Sequence, residues 1–133
     1  MHALIRSLLL ITVVVLAAGC GGTKVTNITG TVTRDGKPLE WPSEHGLFLV
    51  IFVPENRKPN QDPYLAECDR ATGTYRIGEI KTGTYMVAIH QFVDLRHRDA
   101  LENKFDPVKT PLRVEVTEDG QVIDIDLPKE LPD

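Results

Sequence analysis

The sequence predicts an all-β fold, an antiparallel Greek-key sandwich of about seven strands. Two observations carry this prediction. From Thr23 onward apolar residues recur with a period of two, and turn signals interrupt that pattern at short intervals. The chain has 133 residues, 41% hydrophobic and 26% charged, which suits one ordinary domain and a short extra segment. We therefore expect one sandwich domain over residues 25–133, preceded by a separate N-terminal signal.

The first predicted strand lies within the stretch VTNITGTVTRDGKPL and ends in a tight turn. Ile28, Gly30 and Val32 fall on one face of this strand, and the intervening threonines fall on the other. Asp35 and Gly36 form the residue pair typical of a two-residue hairpin turn, because both central positions require a positive φ. The alternation predicts one buried side and one solvent-facing side.

The middle of the chain contains a strongly apolar strand and two short ones. The stretch GLFLVIFVP is almost continuously apolar, which favours the middle of a sheet. Pro54 ends it, because proline donates no ladder hydrogen bond. A polar surface loop follows, and two short strands are expected around a turn at residues 72–73.

The stretch GTYMVAIHQF predicts a strand and a tyrosine corner. Tyr85, Val87 and Ile89 alternate toward one face, which is expected to be the core. Gly83 precedes Tyr85 at a tight bend, so we expect the tyrosine hydroxyl to bond a nearby backbone group, as in Greek-key sandwiches. This is an architectural role for Tyr85.

The C-terminal third is predicted to hold a helical turn and a hairpin. Residues 95–103 are charged and lack glycine, and Asp94 precedes them as an N-cap residue. The stretch LRVEVTEDGQVIDIDL predicts a hairpin around Asp119 and Gly120. Its apolar residues alternate on both sides of the turn, at Leu112, Val114, Val116, Ile123, Ile125 and Leu127.

Residues 1–19 have the three parts of a secretory signal peptide. Arg6 lies in a short n-region, residues 8–18 are apolar, and small residues precede Cys20. The apolar run is shorter than the roughly 20 residues that span a bilayer, which favours a cleaved signal over a membrane helix. An ordinary secretory signal with an incidental cysteine is the alternative.

The stretch LAAGC resembles the lipobox of bacterial lipoproteins, although Ala17 stands where leucine is usual and Leu16 lies one place further out. The resemblance implies that the Cys20 thiol receives a diacylglycerol and that Cys20 becomes the new N-terminus. Residues 20–24 are then a lipidated cysteine and a short tether, which holds the protein on a membrane of the cell envelope. Because Gly21 and not aspartate follows the cysteine, the resemblance favours the outer membrane where two are present.

Most of the chain after Cys20 resembles bacterial lipoproteins with a carboxypeptidase-regulatory-like, or transthyretin-like, domain. The resemblance is carried by ITGTVTRDGKPLE, VIFVPE, TGTYRIGEIKTGTYMVAI, and PLRVEVTEDG ahead of IDIDL. It implies a prealbumin-like sandwich without catalytic activity of its own, which serves as a structural or interaction module. An envelope protein or a glycan is the partner expected of such a module. The inserted EWPSEH departs from the family pattern.

Charge and cysteine content exclude several functions. The formal net charge is −4, and the basic residues are interleaved with carboxylates, so no nucleic-acid partner is expected. Cys68 is the only thiol left once Cys20 is acylated, which excludes an intramolecular disulfide, a cysteine zinc site and a CxxC redox pair. We expect Cys68 to behave as a small buried hydrophobe, and we expect no cofactor.

Five residues are candidates for binding. The best metal candidate is a cluster in sequence of His90, Asp94, His97 and Asp99. Imidazole and carboxylate suit zinc, but the spacing matches no HExxH motif, and a solvated polar segment with His90 on the outer face of its strand is favoured. Trp41, the only tryptophan, lies in a predicted loop, where it either binds a sugar or protein or covers the open end of the sandwich.

Three functional hypotheses stay open. The favoured one is a membrane-anchored, non-catalytic envelope lipoprotein. The second is a hydrolase similar to the transthyretin-related enzymes that open a urate derivative, but those enzymes end in Tyr-Arg-Gly-Ser and this chain ends in KELPD. The third is a metal-binding lipoprotein, which requires His90 and His97 to converge in the fold.

Overall fold

The computed structural model describes residues 22–39, 44–94, 96 and 98–130. Those residues contain nine β-strands and no helix. In chain order the strands are β1 (Lys24–Arg34), β2 (Lys37–Pro38), β3 (Leu47–Pro54), β4 (Tyr64–Leu65), β5 (Glu67–Asp69), β6 (Thr74–Lys81), β7 (Gly83–Phe92), β8 (Arg113–Val116) and β9 (Ile125–Leu127). The all-β prediction is confirmed. The described residues contain two strands more than the expected seven, because β2 and β4 have only two residues each and no alternating pattern predicts them.

The strands form two sheets around one core. The first sheet has the order β2-β1-β6-β5, with β9 along β1, and the second has the order β4-β3-β7-β8. The pairing of β1 with β9 is parallel, and the other strand pairings are antiparallel. Buried side chains from both sheets pack into a single hydrophobic cluster. This is the arrangement of a β-sandwich.

The predicted strand faces are confirmed in the two longest strands. Ile28 and Val32 of β1 are fully buried, and so are Val87 and Ile89 of β7. Each buried side chain of this kind contributes about 1.5–3 kcal/mol relative to an exposed one. A shift of either strand by one residue would expose all of them, so the alternation fixes the register.

Glycines fulfil different requirements in the turns and in β1. Gly36 and Gly73 have φ values of 73° and 70° in the turns predicted around them. Gly30 lies inside β1, where a Cβ atom would collide with the carbonyl oxygen of Ile123. The segment that contains Ile123 therefore packs on β1 because residue 30 has no side chain.

The predicted C-terminal hairpin is wrong. β8 pairs with β7 in the second sheet, whereas β9 runs parallel to β1 in the first. The turn at Asp119 and Gly120 thus carries the chain from one sheet to the other. Val116 and Leu127 are buried as predicted, but each half of the expected hairpin covers the open edge of a different sheet. Open edges expose unpaired backbone groups, so covering two of them favours this arrangement over a hairpin.

The helical turn expected over residues 95–103 is also wrong for the part of that segment the structure describes. Glu102 and Asn103 have φ values of 57° and 56°, which a right-handed helix does not accommodate. The carboxylate of Asp99 accepts hydrogen bonds from three backbone N–H groups, at 3.0, 2.9 and 3.2 Å for Gln91, Leu101 and Asn103. These bonds hold a series of turns in place of a helix.

Candidate functional site

The N-terminal end of the described domain is the place where the predicted anchor meets the sandwich. Gly22 packs so closely on Thr82 that a Cβ atom would collide with the Thr82 carbonyl group. The Thr23 N–H donates to Thr82 Oγ1 at 2.9 Å, and the Thr82 N–H donates to the Thr23 carbonyl oxygen at 2.7 Å. In the sequence only Gly21 separates Cys20 from this attachment. The free tether is therefore shorter than residues 20–24.

A cleft of about 690 Å³ lies beside this attachment, between the loop that follows β3 and the turn that joins β6 to β7. Hydrogen bonds within the loop hold its shape. The Arg57 Nε–H donates to the Gln61 carbonyl oxygen at 2.7 Å, and the Gln61 N–H donates to the Lys58 carbonyl oxygen at 3.1 Å. The Glu55 N–H donates to the Thr84 carbonyl oxygen at 3.0 Å and joins the two walls. We call this surface the anchor-end cleft; it is lined by residue 22 and residues 54–56, 58–61 and 81–85.

The anchor-end cleft carries positive charge. Lys58 and Lys81 line it, are exposed, and form no salt bridge with any of the residues that the structure describes. The acidic residue of the lining, Glu55, lies 3.4 Å from Nε of Arg113, which matches its charge. The arrangement is a polar concave surface with two ammonium groups that form no salt bridge within the described part of the chain, and such a surface suits an anion.

The structure divides the predicted metal cluster. Asp94 bonds the Arg98 guanidinium at 2.7 Å, and that hydrogen bond lowers the pKa of Asp94. Asp99 bonds Nδ1 of His90 at 2.9 Å. His97 lies outside the described residues. Across residues 22–39, 44–94, 96 and 98–130, no three His, Cys, Asp or Glu side chains are grouped so as to hold a metal ion.

His90 lies on the outer face of the second sheet and helps to position the chain that follows. Its ring stacks on Phe92, with 5.2 Å between centroids and 7° between planes. The side chains of His90 and Asp99 are 13% and 0% exposed. Because Asp99 also accepts the three backbone hydrogen bonds described above, the pair ties residues 99–103 to β7. The sequence grouped these two residues as candidate metal ligands, with a solvated polar segment favoured, and it did not indicate the backbone partners of Asp99.

Three hydroxyl or thiol groups are held in their protonated state. Burial raises the pKa of Cys68, whose Sγ lies 3.7 Å from the Ala66 carbonyl oxygen. The Tyr85 hydroxyl donates to the carbonyl oxygen of Lys81 at 2.6 Å, as predicted, and burial raises its pKa to about 12. The Tyr75 hydroxyl donates to the Ile123 carbonyl oxygen, and burial raises its pKa as well. A thiolate nucleophile or a phenolate base requires the deprotonated form near neutral pH.

Three aspartates of the C-terminal segment bond β1, a function that sequence reasoning missed. Asp119 accepts a hydrogen bond from the Thr26 N–H at 2.6 Å, and Asp124 accepts one from the Thr31 N–H at 2.9 Å. The Thr33 hydroxyl donates to Asp126 at 2.7 Å. Each pair is separated by 93 residues, so the threonine and aspartate spacings match. That shared spacing is the sequence signal that reveals the parallel pairing.

Three of the predicted site residues lie outside the described residues, namely Cys20, Trp41 and His97. Their functions stay predictions. In the described part of the chain, no helix is long and apolar enough to cross a membrane.

No protein-family model matches this chain, and no curated protein matches it. Among solved structures, a leucine-rich repeat protein from Bacteroides thetaiotaomicron is similar, at 12% identity and a TM-score of 0.40. The match covers 77% of this chain and 12% of that one, so the chain spans a small part of that protein's length. A likeness at this level supports no conclusion about function.

Proposed function

We propose that the chain is a membrane-anchored, non-catalytic lipoprotein of the cell envelope, and that its β-sandwich is an interaction module. The observation that carries the proposal is the stretch VVVLAAGCGG, in which an apolar run and small residues end at Cys20. A diacylglycerol on Cys20, which adds two acyl chains, makes a stable anchor, whereas one chain is marginal. The resemblance to lipoproteins favours the outer membrane.

The attachment of Gly22 to Thr82 is consistent with an anchor at Cys20. A lipidated cysteine needs only a very short connection when its domain works at the membrane surface. Gly22 and Gly21 leave room for close approach, because neither carries a side chain. The proposal extends to the finer architecture: we assign the sandwich to the carboxypeptidase-regulatory-like class with Greek-key connections, on the sequence blocks quoted above.

The geometry of the ionisable groups supports a module without chemistry of its own. The Asp99 carboxylate is saturated by His90 and by backbone N–H groups, so it positions the chain. The thiol of Cys68 has a raised pKa, which disfavours a nucleophile. A protein or glycan of the envelope is the partner that such a module would bind.

Metabolic labelling with palmitate tests the anchor. We expect label on the wild-type protein and none on Cys20→Ser, which should accumulate as an unprocessed precursor. Cys68→Ser is the matched control, because it removes the other cysteine and should keep the label. Label that persists in Cys20→Ser, or that disappears in Cys68→Ser, would refute the lipoprotein proposal.

Cross-linking in intact cells tests the interaction module. A flexible Gly/Ser linker between Gly21 and Gly22 leaves the bonds of Thr23 intact and releases the domain from the surface. We expect a membrane-associated neighbour to be captured by the wild-type protein and lost with the linker. Capture of the same soluble proteins by both forms would contradict a partner at the membrane.

A further inference from the structure

We infer that the anchor-end cleft binds the phosphate of an anionic phospholipid headgroup, so that this end of the sandwich lies on the membrane that holds the chain. The inference rests on the proposed acylation of Cys20 and adds a surface and a ligand to it. Covalent geometry places Cys20 close to the cleft. Gly22 lines the cleft, and consecutive Cα atoms are 3.8 Å apart, so the Cα of Cys20 lies within about 7.6 Å of the Gly22 Cα.

The headgroup layer of a bilayer is comparable in depth to this short connection. A bilayer measures about 40–45 Å with its polar regions and about 30 Å without them, which leaves roughly 5–7.5 Å of headgroups on each side. Acyl chains on Cys20 enter the hydrocarbon, so a residue two positions away lies at the level of the headgroups. Because Gly22 is fixed on Thr82 in the cleft wall, the cleft is held at that level as well.

The lining of the cleft has the chemistry that an anionic headgroup requires. Lys58 and Lys81 are exposed ammonium groups without a salt bridge among the described residues, while Arg113 matches the charge of Glu55. Asn56 adds an amide that is able to donate hydrogen bonds to phosphate oxygens. A lysine near an anionic membrane surface strengthens binding by about fivefold. Positive charge and hydrogen-bond donors together favour a phosphate at this depth.

The opposite end of the sandwich provides a matched control. A second cleft, of about 370 Å³, is lined by Arg34 and contains Lys37 and Lys129. With three basic residues and Asp35 in its lining, it is at least as basic as the anchor-end cleft, but the length of β1 separates the two ends. At about 3.3 Å per residue, β1 places Arg34 roughly 33 Å from Lys24. Charge alone would recruit both clefts to a membrane, whereas the anchor allows only one of them to reach it.

The test is lysine footprinting of the mature protein, purified from membranes. The protein is reconstituted into phosphatidylglycerol vesicles, phosphatidylcholine vesicles or neutral detergent micelles, and is treated briefly with a water-soluble acylating reagent. Mass spectrometry then gives the modification rate of each lysine. We expect Lys58 and Lys81 to react at least about fivefold more slowly in phosphatidylglycerol vesicles than in micelles. Lys37 and Lys129 should react at equal rates in all three.

The controls separate an anionic headgroup from a neutral lipid surface and from free phosphate. Protection should fall when ionic strength is raised, because salt screens an exposed contact between ammonium and phosphate. Equal protection in phosphatidylcholine vesicles would overturn the role of the anionic headgroup. Protection of the same lysines by inorganic phosphate alone, in the Cys20→Ser chain, would assign the cleft to free phosphate and overturn the lipid assignment.

The same samples distinguish failure of the inference from failure of the proposed function. Mass spectrometry of the N-terminal peptide reports whether Cys20 is acylated. Acylated protein whose four lysines all react as fast as in micelles overturns the inference and leaves the lipoprotein proposal standing. Protein without an acyl chain on Cys20 overturns both.

Discussion

Two segments cover the edges of the two longest strands, and they are held in different ways. We call residues 99–112 the β7-edge segment. It is joined to β7 by two backbone hydrogen bonds: the Ala100 N–H donates to the Gln91 carbonyl oxygen at 2.8 Å, and the Ile89 N–H donates to the Phe105 carbonyl oxygen at 2.9 Å. We call residues 119–127 the β1-edge segment. It lies parallel to β1, and the Ile123 N–H donates to the Thr29 carbonyl oxygen at 2.8 Å. Both segments protect an edge that would otherwise be open to pairing with another chain.

The attachments of the two segments differ in burial. The β7-edge segment inserts Leu101 and Phe105 into the core and buries the Asp99 carboxylate. The β1-edge segment buries Ile125 and Leu127 at its end, but its three bonded aspartates are exposed. A hydrogen bond to a buried charged group contributes more to stability than an exposed one. When the buried bond is lost, water does not reach the remaining donor to replace it. The β7-edge segment should therefore be the more strongly held of the two, although it contains no regular strand over residues 100–112.

The largest expected effect tests the buried attachment directly. Phe105→Ala should lower the free energy of unfolding by about 3–5 kcal/mol, because it removes an aromatic side chain and leaves a cavity. Ile125→Ala, the matched change in the β1-edge segment, should cost less, about 2–3 kcal/mol. Urea unfolding followed by tryptophan fluorescence or circular dichroism measures both. A larger loss for Ile125→Ala would reverse the comparison.

The next effect contrasts the aspartates of the two segments. Asp99→Ala should cost about 2–4 kcal/mol, because three backbone N–H groups and His90 lose a buried acceptor. Asp124→Ala should cost less than about 1 kcal/mol, since water replaces its single exposed bond to Thr31. Equal losses in urea titrations would show that burial does not separate the two segments.

The smallest effect concerns pH. The Thr33 hydroxyl, and then the Gly36 N–H, hold the pKa of Asp126 below its usual value, so the stability it contributes is present above the unfolded pKa of about 4. That contribution is lost as pH falls through the lower, folded pKa. We expect Asp126→Asn to melt slightly below the wild type near pH 6 and at the same temperature once Asp126 is protonated in both states. Scanning calorimetry across this range checks the sign.

A matched variant makes the pH experiment decisive. Ile125→Ala removes only apolar surface, so its deficit in melting temperature relative to the wild type should persist at both ends of the pH range. If the Asp126→Asn deficit also persisted at low pH, the charge of Asp126 would not be the stabilising feature.

The sequence predicts the buried faces of the strands but not which strands are neighbours. Alternation around Ile28 and Val87 predicted the buried faces correctly, because burial on one side requires it whatever the partner strand. The bond of the Tyr85 hydroxyl was predicted from the bend before it. The pairing of the two C-terminal strands was predicted wrongly, since Val116 and Leu127 show the same alternation in a hairpin and on two separate edges. Local pattern specifies the face of a strand, and tertiary competition for edges specifies its neighbour.

The candidate site was predictable only in part for a related reason. His90 and Asp99 were grouped by their chemistry, and they do meet at 2.9 Å. The other partners of Asp99 are backbone N–H groups, which every residue other than proline carries and which no composition distinguishes. β4, β5 and most of β6 lie between Lys58 and Lys81 in the chain, so only the fold brings the two lysines to one cleft.

The parallel pairing of β1 with β9 governs the order in which the protein is able to fold. Closing a loop of 93 residues costs on the order of 4 kcal/mol in chain entropy before any contact between the two strands is gained. Contacts of such large sequence separation make folding slow, and they form only after residues near 127 have emerged. In a chain that is synthesised from its N-terminus, β1 therefore pairs with β6 before it gains β9 as its last neighbour.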